Sequence, residues 1–99
     1  MFRATTPTHT FDIGTDAASL SKILLTYQQG GETILEKDKT ELTCDGTVIS
    51  YKLTQEETKL FKANRTVSVQ IRFMTAEGTV IASDIMAIPV NRVLNDEVL

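Results

Sequence analysis

The chain has 99 residues, of which 41% are hydrophobic and 23% charged, with a formal net charge of −3. That length closes one apolar core and excludes a second, no run approaches the roughly 18 apolar residues of a membrane span, and the acidic balance argues against a nucleic-acid partner. A single cysteine, Cys44, excludes an internal disulfide.

The opening "MFRATTPTHT" lacks the apolar stretch of a signal peptide, so the protein is expected to be made and first kept in a cytosol-like compartment. The first strand-like run, "THTFDI", carries the only histidine, His9, read as a surface residue. After the connection "GTDAAS", the run "SKILLTYQQ" puts Ile23, Leu25 and Tyr27 on one face, and Gly30-Gly31 turns it into "ETILEK". A second hairpin joins "TELTC" to "TVISYKL" through Asp45-Gly46, with Ile49, Tyr51 and Leu53 alternating inward. Cys44 has no neighbouring histidine to activate it and is expected to be inert.

The segment "LTQEETKLF" breaks the strand pattern with a helix start. Thr54 and Glu57 form a capping box, in which each side chain satisfies the other's backbone N–H. Glu56 and Glu57 stand at the positive end of the helix dipole, and Lys59 and Lys62 at the negative end. A short helical crossover is therefore expected near residues 54–62. Leu60 and Phe61 are expected to plug the open end of the fold, and Asn64 to end the turn in a left-handed conformation. Both acids are read as structural, each expected to tolerate glutamine.

In "TVSVQIRFMT", Val67, Val69, Ile71 and Phe73 alternate with Ser68, Gln70, Arg72 and Met74, and Glu77-Gly78 turns this run into "TVIASDI". Seven strands result. Runs 1, 4 and 5 are expected to form one sheet and runs 2, 3, 6 and 7 the other, an all-β, two-sheet antiparallel sandwich of immunoglobulin-like order whose leading strand is missing or shortened. This domain is placed at residues 1–89. Residues 90–99 remain as an apolar segment, with Val90, Val93, Leu94, Val98 and Leu99 expected to dock on the domain itself or on a partner.

Charge is segregated: residues 51–75 carry +3, whereas residues 10–50 carry −4 and residues 76–99 carry −3. Lys52, Lys59, Lys62 and Arg65, with Arg72, read as a solvated basic face. Paired with acids such as Asp96 and Glu97 and with apolar Val93, Leu94, Val98 and Leu99, the first four are candidates for a head-to-tail contact between copies. One histidine and one cysteine make no metal set, no glycine loop precedes a helix to hold phosphate, and no nucleophile elbow occurs. The chain therefore reads as a non-enzyme with no cofactor.

Five stretches, "TPTHTFDI", "LTYQQGGETILEKD", "DGTVISYKLTQEET", "VQIRFMTAEGTVIASDI" and "RVLNDEVL", together resemble a family of short proteins encoded in the structural-gene regions of tailed phages and prophages of Firmicutes. A weaker resemblance, resting on fold, is to the immunoglobulin-like N-terminal modules of phage baseplate proteins. The resemblance implies a virion or assembly component located in the virion or in the host cytoplasm during assembly. Its implied partners are phage structural proteins or further copies of itself, and it supplies no catalytic or ligand residues. The alternative from another class is a module that recognises carbohydrate or protein on the host surface. With no Trp and only Tyr27 and Tyr51, the composition offers that alternative few exposed aromatics.

Overall fold

Alternation in residues 66–74 sets the architecture: Val67, Val69, Ile71 and Phe73 are all buried, while Ser68 and Arg72 face solvent. The computed structural model describes residues 1–99 and contains eight strands. They are β1 (Thr8–Asp12), β2 (Lys22–Gln29), β3 (Glu32–Asp38), β4 (Thr43–Asp45), β5 (Val48–Lys52), β6 (Thr66–Met74), β7 (Val80–Ala82) and β8 (Met86–Pro89). One helical turn, α1 (Gln55–Thr58), crosses between sheets, and short 3-10 turns lie at Ala17–Ser19 and Lys39–Glu41.

One sheet runs β1-β5-β4 and the other β3-β2-β6, with β7 and β8 both on the far edge of β6; every strand pair is antiparallel. This is the expected immunoglobulin-like order. The shortened leading strand survives as a remnant: Phe2 makes a parallel bridge with Asn91, Arg3 N–H donates to the Asn91 carbonyl (3.1 Å), and Asn91 N–H donates to the Met1 carbonyl (2.7 Å).

The seventh run departs from expectation: only its first part is a strand, and a further strand follows beyond its end. β7 pairs with Arg72–Met74, and β8, which the alternation did not reveal as a strand, pairs with Thr66–Val69. Ser83 patches the gap. Its N–H donates to the Ile71 carbonyl, its Oγ accepts from Ile71 N–H at 3.1 Å, and its carbonyl accepts from the Gln70 amide at 2.9 Å. A side chain replaces one rung of the ladder, as at a bulge. β7 is exposed throughout.

The β2–β3 hairpin has a two-residue loop, Gly30-Gly31, with φ of 62° and 79°. Two consecutive left-handed residues suit glycine and match the right-handed strand twist. The β4–β5 loop is Gly46-Thr47, one residue later than the expected Asp45-Gly46, since Asp45 still pairs with Val48.

Fifteen apolar residues form one core between the sheets. Phe61 closes one end of it, 1% exposed, with its ring centroid 5.8 Å from that of the fully buried Tyr27. Leu60 was expected to share this role and does not; it is 56% exposed. Its inward place is taken by Thr58, which is fully buried, its hydroxyl donating to the Thr5 carbonyl and accepting from Thr5 N–H. Asn64 ends the crossover at φ 62°, as expected. The sandwich also reaches past Pro89: Val90 is 2% exposed, donates to the Arg65 carbonyl and accepts from Asn64 N–H.

Phe61→Ala is expected to cost about 3 kcal/mol or more by leaving a cavity, and Thr54→Ala about 1 kcal/mol through the lost cap. Leu60→Ala should stay within about 0.5 kcal/mol, as for an exposed side chain. Urea unfolding of the three variants measures this order directly.

Candidate functional site

The sequence-predicted residues gather at the end of the sandwich that α1 covers. Thr54 Oγ1 accepts from Glu57 N–H at 3.1 Å and Glu57 Oε1 accepts from Thr54 N–H at 2.9 Å, so the capping box is complete. The Glu57 carboxylate does more than cap. Tyr51 on β5 donates its hydroxyl to it at 2.7 Å, and Lys37 on β3 lies 2.9 Å from Oε2 while also pairing with Glu41 at 3.1 Å. The Lys37 ammonium stands 5.4 Å from the Tyr51 ring centroid, within cation–π range. One carboxylate thus joins α1 to a strand of each sheet.

Burial alone would raise the Glu57 carboxyl. The Thr54 N–H, Lys37 and Tyr51 outweigh it and hold the group below its ordinary range. The same contact raises Lys37, chiefly through its hydrogen bond to Glu57. Burial, then the Glu57 carboxylate, raises the Tyr51 hydroxyl.

His9, expected on the surface, is half-buried, and its Nδ1 lies 2.7 Å from the Tyr27 hydroxyl. Burial first, then the positive chain terminus, lowers its pKa. Burial also raises Tyr27, assisted by Tyr51 and Glu57. No buried side-chain polar atom is left without a partner, and no three His, Cys, Asp or Glu side chains gather as a metal set. Cys44 is free, sits on β4 opposite Ile49 and packs against the core.

The basic candidates Lys52, Lys59, Lys62 and Arg65 flank the crossover, and none enters any of the three ion pairs. Lys62 is held by its backbone: the buried Gln29 donates to its carbonyl (2.8 Å) and accepts from its N–H (2.7 Å). Arg72 lies apart from them, exposed on the outer face of β6 opposite Ala82.

The C-terminal segment folds back onto this same pole. Arg3 is the anchor, donating to the Phe61 carbonyl (2.9 Å), the Lys59 carbonyl (3.0 Å) and Asp96 (3.2 Å). Gln55 exchanges two hydrogen bonds with the Leu99 backbone, at 2.7 and 3.3 Å. Val93 is half-buried, yet Leu94 is 95%, Val98 41% and Leu99 102% exposed. Polar tethers hold the segment, and its apolar side chains stay outside. Neither Arg3 nor Gln29 carried a sequence signal, because each works through a partner at least 33 residues away.

A second feature lies between the sheet edges. An apolar groove of about 390 Å³ runs between β1 and β7, floored by Phe11, Ile71 and Phe73. Ile13 donates to Thr47 and Leu53 to Pro7, so the odd residues of β1 bond to β5 while the backbone groups of Thr8, Thr10 and Asp12 face the open edge.

Glu57→Gln is expected to cost about 1–2 kcal/mol, since it strips the charge from a carboxylate holding three donors. Glu56→Gln, at an exposed position, should fall within about 0.5 kcal/mol. This corrects the expectation that both acids tolerate glutamine. The pH dependence has two stages. His9 is lowered in the folded state, so its contribution is present above the unfolded value of about 6.5 and is lost as pH falls through the folded value. Glu57 is also lowered, and its contribution falls away below about 4.3, the unfolded value. Urea midpoints between pH 8 and about pH 2 should therefore begin to drop near pH 6.5 and drop again below about pH 4.3. In His9→Gln only the lower stage should remain, and an unchanged upper stage would refute the assignment.

Compared with known proteins, the chain matches no family model, no curated protein and no solved structure.

Proposed function

We propose that this protein is a non-catalytic structural or assembly component that acts through protein–protein contacts. The resemblance in its sequence points to a phage or prophage particle, with action in the virion or in the host cytoplasm during assembly. The observation that supports this is the pole built around α1. Phe2, Leu60, Leu94, Val98 and Leu99 are 54%, 56%, 95%, 41% and 102% exposed there, beside cations that take part in no ion pair. An apolar patch rimmed by charge is the composition of a contact surface. The polar network next to it is saturated with its own hydrogen bonds, and its tyrosine hydroxyls are held in their protonated form.

A host-surface recognition module is the alternative. Of the six aromatic side chains only Phe2 is exposed, which gives that alternative little of the flat apolar surface that anchors such contacts.

The test is retention of named partners. Tagged protein, expressed during phage induction, should retain phage structural proteins, and a Leu94→Asp/Leu99→Asp variant with an unchanged urea midpoint should lose them. Retention of no structural protein removes the proposal, and binding on a glycan array in its place would favour the alternative.

A further inference from the structure

The expected contact between copies was head-to-tail, with the acidic tail of one chain on the basic crossover of the next. The fold places both on one pole. Arg3 bonds at once to the Lys59 and Phe61 carbonyls and to Asp96, while Gln55 in α1 bonds to Leu99. The tail's exposed Glu97, which enters no ion pair, therefore lies on the same end as exposed Lys52, Lys62 and Arg65. Apolar Leu60, Leu94 and Leu99, on the crossover and the tail that carry these charges, are also exposed.

We infer that this pole binds a second copy of the same chain about a two-fold axis. A surface that carries both signs of charge beside an apolar patch can dock on itself by two-fold rotation, with the tail acid of each copy meeting crossover bases of the other, so that the contact is made twice. Because the same patch serves both partners, the assembly closes at two chains. Neither a ring nor a filament follows, since each needs two separate patches. The inference rests on the pole being a contact surface and names its first partner; the two-chain particle then meets phage structural proteins, so that a substitution at the pole loses both contacts. Leu60, Leu94 and Leu99 supply apolar burial, while Lys52, Lys62, Arg65 and Glu97 set the register.

Sedimentation equilibrium of the full chain tests this. Wild-type protein should pass from one chain to two as concentration rises, with no larger species, and shift toward one in high salt as the charges are screened. Leu94→Asp, at a position 95% exposed, should weaken the dimer by about tenfold or more. Lys62→Glu and Glu97→Lys should each be monomeric alone, and an equimolar mixture should restore two-chain particles, because both reciprocal pairs are then of opposite sign. Urea midpoints equal to that of the wild type, read at a concentration low enough for every chain to be monomeric, will confirm that the variants are folded. A wild-type chain monomeric at every concentration, a mass that grows past two chains, or a mixture that stays monomeric would each overturn the inference. The two readings fail separately. A monomer that still retains phage structural proteins sinks only the dimer, whereas a dimer that retains none sinks only the assembly role.

Discussion

A single carboxylate ties the crossover helix to both layers of this fold. Glu57 accepts from its own N-cap, from Tyr51 in one sheet and from Lys37 in the other. A one-turn helix is far too short to be stable alone, because the cost of nucleating it is barely offset by the bonds it forms. Its position therefore depends on these external partners. Once α1 is fixed, Phe61 is delivered over Tyr27, the Lys59 and Phe61 carbonyls are presented to Arg3, and Gln55 reaches Leu99. The core's lid and the exposed pole both follow from where that carboxylate sits. Its ionised form is the one that works, since a protonated acid could neither pair with Lys37 nor accept as many donors.

What could be read in the sequence was local. Alternation in β6, paired glycines at 30 and 31 and the Thr54–Glu57 spacing each encode geometry within a few residues, and the structure realises each of them. Misreadings came where a local pattern was too short to decide. Over one helical turn, periodicity cannot say which of Thr58, Leu60 and Phe61 points inward, and apolarity favoured Leu60 over a threonine. Thr58 won because the Thr5 backbone satisfies its hydroxyl from both sides, so burying it carries little penalty. The break between β7 and β8 was hidden for a related reason. Ser83 looks like one more polar residue in an alternating run, and only its hydrogen bond from Ile71 N–H shows that it stands in for backbone.

The site was legible in its members and not in its arrangement. Charge segregation along the chain named the basic crossover and the apolar, acidic tail, but linear order cannot say whether two segments lie on one pole or on opposite poles. Arg3 decides that, through a contact with Asp96 across 93 positions of sequence. His9 and Tyr27 are a smaller case: each reads as ordinary on its own strand, and their hydrogen bond exists because the two sheets face each other.

The energetics of the tail distinguish a docked end from a poised one. After Val90 the segment buries little apolar surface, so the hydrophobic term that fixes most chain ends, about 25 cal/mol per Å², is largely missing. In its place stand an ion pair between Arg3 and Asp96, with the aspartate side chain 47% exposed, and two hydrogen bonds to Gln55. An exposed pair of this kind is worth at most about 1 kcal/mol and weakens in salt. The tail is thus given a defined place by directional bonds while its leucines remain available. Binding then starts from a tail already tethered at Arg3 and Gln55, which reduces the ordering entropy lost on contact.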